Sequence, residues 1–585
     1  MVLLGVLCLT ASNAFLVWIP ILVRQTLDAV EQLQKEGVGA GASVWDILLS
    51  SEAGWVIAQG VLWLTVANVL YGVLLFLTRQ TLIVTSRKIE FDMRNEVYSV
   101  LQKLPQRFYA RNRTGDVYVR ATEDIARVRE YFGPAFMYGV NTITRAGIII
   151  TIMFMVNTEL TIWALLPLPL LSVIAYWMSS FIHTRSNEIQ EQYAVLAGRA
   201  QEAFSSIRLV KAFSREAYEK GRFDSESEQY RLKKLKLDIV ESLFHPTLNF
   251  LVGASIVLVV WKGGLLVMDG VVSVGNIAEF IINVLFLTWP IAALGYTLNL
   301  VQRSAASNIR IQTLLDEPRQ DDATTQHAGS HLDVVFSKEI RFDKVSFTYP
   351  GADSPALSDI NLRIPAGKKI AIVGRTGAGK TTLVQLITRM FEPDSGQIFL
   401  DDRPIHSIPL DQLRALIGFV PQETFLFSET IRNNIAFGKE NATFTDVELA
   451  AKGAAVYENI IAFDKKFDTV LGERGITLSG GQKQRTAIAR SLIRNPNILI
   501  LDDALSAIDT KTENQIEQYL SEHLAETTVI QISHRIQSVK NADFIYVLKD
   551  GKLAEQGNHN ELIDRNGPYA SMYNKQMLEK ELAEL

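Results

Sequence analysis

A single cysteine, Cys8, occurs among 585 residues, so neither an intrachain disulfide nor a cysteine metal cluster can hold this chain together. A strongly basic domain is also missing. The formal charge of −5 sets 58 Lys and Arg against 63 Asp and Glu, and nothing in it points to nucleic acid. No cleavable secretion signal is recognisable. The apolar start, from Val2 to about Val23, is long enough to remain as a membrane helix. Charge is scarce along several stretches before residue 300, yet charged residues make up 21% of the whole. A mean hydropathy of +0.13 is high beside that figure and reads as an average over two unlike parts. The chain is also too long for one hydrophobic core.

Six apolar segments lie in the first part, at roughly 2–27, 53–78, 131–157, 160–182, 239–268 and 272–302. Each approaches or exceeds the ~20 residues that cross a hydrocarbon core about 30 Å thick. Pro167, Pro169, Pro246 and Pro290 fall inside them, which membrane bundles tolerate when neighbouring groups take up the freed carbonyls. The loops are asymmetric. Ten Lys/Arg lie between Arg87 and Arg129 and eleven between Arg185 and Lys236, against Lys35 alone in the connection 31–52. The basic loops are expected in the cytoplasm, with both chain ends on the same side. Stretches 79–130 and 183–238 read as long helices, with reversals expected at Asn112–Asp116 and between Ser205 and Glu216.

Arg145 interrupts the third apolar segment far from either end. An intramembrane charge is costly and faces a bundle interior or a water-filled cavity, so a structural ion pair and a ligand-facing cation both stay open. Glu279, Asp238 and Glu241 lie nearer segment ends and are weaker candidates. Trp163, Trp177, Trp261, Trp289 and Tyr296 could anchor at the membrane interface or line a cavity.

After a polar connector the pattern changes. Ile340–Phe347 alternates like a strand with one covered face, and Lys369–Val373 reads as a short buried strand. It runs directly into Gly374-Arg375-Thr376-Gly377-Ala378-Gly379-Lys380-Thr381-Thr382. The glycines let successive amides surround phosphate oxygens, Lys380 reaches the β and γ phosphates, and Thr381 presents its hydroxyl to magnesium. The helix continuing through Leu383–Ile387 aims its N-terminal dipole at the anion. Ile498–Leu501 is a second buried strand, closed by Asp502, which would help hold hydrated magnesium. A magnesium-supported ATP site is the expectation.

Where a glutamate would be expected next, to polarise the attacking water, the chain has Asp503. The shorter stem draws the carboxylate back by about 1–1.5 Å, and a shift of about 1 Å can cost on the order of 10²-fold in rate. Nucleotide binding is expected to survive while hydrolysis at this site is slow.

As an ordered set these motifs resemble an ATP-binding cassette (ABC) exporter half-transporter, and the likeness covers nearly the whole chain. It implies a multidomain protein. An α-helical transmembrane bundle of six helices (type I ABC exporter) would occupy 1–315, a connector 316–334, and an α/β P-loop nucleotide-binding domain 335–585. By the same resemblance Tyr349 stacks on adenine, Gln422 senses magnesium and faces the coupling helices, and His534 is the switch histidine. Leu478, Ser479, Gly480, Gly481 and Gln482 would contact the γ phosphate bound to the other subunit. Asp509 would communicate across the dimer, and Gly472–Gly475 would link the second hairpin to the partner's nucleotide site. Plainer readings stand beside these: a structural tyrosine, a helix cap at Leu478–Gln482, and a local polar contact for His534. No protein nucleophile is needed, since water attacks and the site supplies position and electrostatics.

Asp503 beside an intact Leu478–Gln482 segment resembles the degenerate-site subunit of a bacterial heterodimeric multidrug exporter. The implied partner is an unlike half-transporter that keeps the glutamate. An active homodimeric lipid or peptide exporter and an ATP-gated membrane regulator or channel are the alternatives. The resemblance implies a multi-pass protein of the bacterial cytoplasmic membrane with both termini cytoplasmic, using ATP and Mg2+. Its cargo would be amphipathic drugs or lipid-like compounds, with Arg145 as the cavity candidate. Membrane lipids are expected as neighbours, and nucleic acid is not.

Overall fold

The computed structural model describes residues 1–35, 52–320, 334–472 and 478–584. The chain divides into two compact units, residues 1–99 with 117–316, and residues 100–116 with 317–585. Among the described residues of the first unit, five helices are long and apolar enough to cross a membrane. The other expected span, 160–182, lies on helices Thr158–Leu165 and Pro167–Ser205. Pro167 opens the second of these, where its missing N–H has no intrahelical partner to lose. The third expected span, 131–157, is helix Phe136–Val156 preceded by a π turn at Tyr131–Ala135 that contains Pro134. Proline cannot close an ordinary i to i−4 bond, and the wider turn absorbs the defect.

The first reversal is made by two breaks, one earlier than expected and one within the expected stretch. Helix Glu52–Lys103 ends two residues before Pro105, a short helix Gln106–Arg111 follows, and the chain is helical again from Thr114. Pro105 sits extended at φ −69 and ψ 156, and the residue before a proline is pushed out of helical geometry. Asn112, extended at φ −109 and ψ 137, ends the short helix and makes a second break, inside the expected Asn112–Asp116. The second reversal is where the sequence placed it, around helix Ile207–Ala212 between Ser206 and Arg215.

Side chains from several helices interlock in the first unit, with Ile149, Met153, Leu160, Val259, Phe280 and Val284 fully buried. Polar groups inside it are mostly paired. Arg24 meets the fully buried Glu279 at 3.0 Å, and Asp28 Oδ1 accepts from Gly275 N at 3.2 Å. Buried Asp124, in a second π turn at Arg120–Asp124, accepts from Arg310 Nε at 2.8 Å and Ser307 Oγ at 2.9 Å. Arg145 differs: its Nη2 donates to Tyr71 Oη at 3.4 Å, and its buried Nε has no partner among the described residues. Of the two roles left open for it, the ion pair is not formed among the described residues.

The second unit is built on two sheets. β1 (Glu339–Phe347), β2 (Leu357–Pro365), β4 (Ser395–Leu400) and β5 (Arg403–Pro404) form an antiparallel sheet in the order β2-β1-β4-β5. β3 (Lys369–Gly374), β6 (Ile417–Val420), β7 (Ile498–Asp502), β8 (Thr528–Ile532), β9 (Phe544–Lys549) and β10 (Lys552–Gly557) form the other, in the order β10-β9-β3-β8-β7-β6. All pairs from β9 to β6 are parallel, and β10 closes the edge antiparallel. β7 and β8 are buried at every residue, as strands covered on both faces must be. The tip of the first long loop belongs to this unit. Lys103 O accepts from Gln320 N at 3.0 Å, Arg111 pairs with Glu317 at 3.3 Å, and Leu104 and Phe108 are buried.

Candidate nucleotide site

In an open parallel sheet, ligands settle outside the carboxyl ends of the strands. Here four neighbouring strands, β3, β8, β7 and β6, end side by side and hand on to the glycine-rich turn, to His534, to Asp503 and to Gln422. Register fixes the alignment, since Ile372 and Asp502 both pair with Ile532. A cleft of about 220 Å³ forms above them. Tyr349, Thr376, Gly377, Ala378, Gly379, Lys380, Thr381, Thr382, Gln422, Asp502, Asp503 and His534 all line it. Gly374 and Arg375 lie just behind as the strand exit.

Gly379 closes the turn at φ +96, and a side chain there would meet Ala356 O at 2.7 Å. Only glycine takes that backbone and that spacing without strain. Helix Lys380–Ile387 then begins with its first amides turned toward the cleft. Lys380 is buried and donates to Gly374 O at 2.9 Å and Arg375 O at 3.0 Å. Burial pushes its ammonium below the usual lysine value, with Asp502 and Asp503 acting in the other direction. A phosphate offers that cation stronger acceptors than two carbonyls.

Thr381 Oγ1 donates to Asp502 Oδ1 at 3.2 Å. Asp502 is 2% exposed, and burial, aided by the charge of Asp503, raises its carboxyl above the ordinary range. A desolvated carboxylate beside a hydroxyl and the Gln422 amide is an all-oxygen donor set of the kind magnesium takes with a nucleotide phosphate. The residues fit such an ion.

Asp503 lies on the cleft with φ +49, the left-handed region. Asp and Asn enter that region more readily than other non-glycine residues. Its N–H donates to Ile532 O at 3.0 Å, and Ser506 Oγ donates to its carbonyl at 2.8 Å. His534 is held below the usual histidine value, chiefly by burial and next by Lys380, so a neutral imidazole faces the cleft.

Tyr349 is half-buried. It packs edge-on against Phe347 and Phe391, and its hydroxyl reaches Thr382 Oγ1 at 3.0 Å and Gln385 Oε1 at 2.9 Å. The ring is thereby fixed beside the glycine-rich turn. That anchorage was not legible, because Gln385 is simply a helical residue in the sequence.

Leu478–Gln482 and Asp509 do not line the cleft of their own chain. Ser479 caps helix Gly480–Leu492 in a reciprocal box with Gln482. The cap uses Ser479 Oγ as an acceptor at 3.3 Å, which leaves its O–H to donate elsewhere. Asp509 caps helix Thr510–His523 through Thr512 N at 3.0 Å and Thr512 Oγ1 at 2.8 Å, and these bonds hold its carboxyl below the usual range. Of the Gly472–Gly475 segment, residues 473–475 lie outside the described residues. Sequence reasoning also missed Gln484 and Arg535. Gln484 bonds Ser506 Oγ and Ala507 N, and Arg535 Nη2 donates to Ser506 O at 2.6 Å. No periodicity marks either one.

Two family models match, one described as the ABC transporter transmembrane region over residues 2–291 and one as ABC transporter over residues 357–506. The chain is 36% identical over 497 residues to the Bacillus subtilis (strain 168) protein named "Probable multidrug resistance ABC transporter ATP-binding/permease protein YheI", covering 84% of this chain and 83% of that one. It is 34% identical over 537 residues to the multidrug resistance-like ATP-binding protein MdlA of Escherichia coli (strain K12), covering 91% and 90%. An ATP-dependent lipid A-core flippase of Syntrophus aciditrophicus (strain SB) is 33% identical over 498 residues, covering 85% and 82%. Among solved structures, a bacterial Atm1-family ABC exporter with ATP bound superposes with a TM-score of 0.78 at 27% identity, covering 98% of each chain.

Proposed function

Because this chain belongs to the ABC transporter family, as a membrane exporter whose ATP-binding domain drives transport, we propose that it is one half of a heterodimeric pump and holds the slower of two ATP sites. One observation carries the reading: Asp503 stands one methylene short in an otherwise complete cleft, while Ser479 keeps a hydroxyl proton free for phosphate. Two cassettes stacked head to tail would set Leu478–Gln482 against the partner's nucleotide. This subunit would then complete an active site on a partner that keeps the glutamate.

Within its own cleft, Tyr349 offers adenine a fixed ring face, and Thr376–Thr382 with Lys380 bind the phosphates. Thr381, Asp502 and Gln422 would hold Mg2+, which neutralises phosphate charge when bound. Asp503 reaches toward the attacking water from too far back, and neutral His534 can donate one hydrogen bond to the terminal phosphate. Hydrolysis therefore depends on the other site.

The Lys/Arg-rich loops support a bacterial cytoplasmic membrane setting with both termini inside. Relatives named for multidrug resistance and for lipid A-core flipping support an amphipathic drug or lipid-like cargo. Arg145, whose buried Nε has no partner among the described residues, is the candidate for contacting it.

A homodimer is the second reading. The left-handed backbone at position 503 favours aspartate on conformational grounds alone, whatever the partner. Reconstitution into sealed vesicles tests the function. ATP-dependent accumulation of a fluorescent amphipathic compound or lipid against its gradient is expected. Movement only down the gradient would instead identify an ATP-gated channel or regulator.

A further inference from the structure

The C-terminal helix Pro568–Glu584 grips the switch segment with one side chain. Gln576 Nε2 donates to His534 O at 2.6 Å, and Gln576 Oε1 accepts from Ile536 N at 2.9 Å. One amide thus bridges the backbone on both sides of Arg535. The next side chain adds a third contact, Gln537 Nε2 to Met577 Sδ at 3.2 Å. Beneath them Tyr569, Met572 and Tyr573 pack against the core that holds Ile536 and Val539.

β8 ends at Ile532, so its ladder no longer fixes the backbone at His534. Ser533 Oγ accepts from Arg535 N at 2.9 Å, which makes a local turn. The Arg535 side chain ties this turn to Ser506 O, and Gln576 adds the restraint on the His534 and Ile536 backbone itself. A planar amide that both donates and accepts fixes the direction of the His534 carbonyl, and with it the aim of the imidazole into the cleft. A purely apolar contact from the same helix could not do that. Side chains of similar length differ sharply here: glutamate lacks the N–H, and methionine lacks both groups.

We infer that Gln576 is a positioning residue for His534, setting how well this chain's site distinguishes ATP from ADP. The inference rests on reading His534 as the group that meets the terminal phosphate. ATP reaches far enough to use that histidine and ADP does not. Loss of Gln576 therefore weakens ATP and leaves ADP as it was. The C-terminal helix, although outside the cleft, becomes part of how the site senses its nucleotide.

The test is photolabelling of the full-length transporter, purified with whatever subunit accompanies it, using radiolabelled 8-azido-ATP with the subunits resolved on a gel. ATP and ADP compete for the label on this chain. Gln576→Met should weaken competition by ATP about 3- to 10-fold, the scale of a lost hydrogen-bonded restraint, with ADP unchanged. Gln576→Glu should behave likewise, because its carboxylate opposes the His534 carbonyl. In a His534→Ala background, Gln576→Met should add nothing. Equal weakening of ATP and ADP would overturn the inference, since that is what a merely structural glutamine gives. A selective ATP effect of His534→Ala with both Gln576 variants silent would overturn it alone. No selective effect of His534→Ala would remove the reading of the histidine and the inference together.

Discussion

At the scale of single residues, Asp502 and Asp503 show how burial and backbone divide the work of two adjacent carboxylates. Burial raises the Asp502 carboxyl, and the neighbouring Asp503 charge raises it further. A raised acid contributes stability that is fully present below the ordinary carboxylate range and lost as pH rises through its raised value. At neutral pH the empty domain therefore carries the cost of a desolvated charge. Asp502→Asn should raise the melting temperature of the nucleotide-free protein at pH 7, with the gain shrinking toward pH 4. The same variant should lose magnesium-dependent nucleotide binding. Scanning calorimetry across pH, with and without Mg·ATP, checks both. Asp503 makes a different prediction. Glutamate tolerates left-handed backbone less well, so Asp503→Glu should cost about 1 kcal/mol of stability in chemical denaturation, even as it restores the longer reach. The missing methylene was legible because the strand and the preceding aspartate locate the position. The φ of +49 was not. Leu501-Asp502-Asp503-Ala504 contains no glycine, and the backbone is set by Ile532 O on the neighbouring strand.

At the scale of elements, caps and breaks explain most of what the sequence placed well and what it misplaced. Ser479 is both a helix cap and a candidate phosphate donor, and the geometry lets it be both. Ser479→Ala should lower stability by about 1 kcal/mol through the lost cap. It should also cut ATP hydrolysis by the assembled transporter at least tenfold. Ser479→Thr should recover most of the stability, because threonine also caps. A melting curve set beside steady-state ATPase separates the two contributions. The first loop shows the opposite lesson. Asn112–Asp116 has turn composition and does break the chain at Asn112, but Pro105 adds an earlier break that the sequence reading did not place. In the membrane half, long apolar runs gave the helices directly. The Arg24–Glu279 pair was not visible, because residues 255 apart carry no shared pattern.

At the scale of the whole molecule, a run of parallel strand ends gathers four distant segments into one cleft, while Leu478–Gln482 and Asp509 lie off it. Both parts were legible, the phosphate-binding turn from its glycines and Leu478–Gln482 from its Ser-Gly-Gly sequence. Cargo was not legible, since a cavity between membrane helices is shaped by contacts that residue spacing does not encode. Arg145, whose buried Nε has no partner among the described residues, is the candidate for contacting the cargo. The central claim is a division of labour between unlike sites, and steady-state ATPase of the purified complex tests it most directly. The account predicts slow hydrolysis by this chain alone and robust hydrolysis with its unlike partner. It predicts a loss on the order of 10²-fold when the partner's catalytic glutamate becomes glutamine, and a gain from Asp503→Glu in this chain. Robust hydrolysis by this chain alone, indifferent to the partner's glutamate, would contradict it.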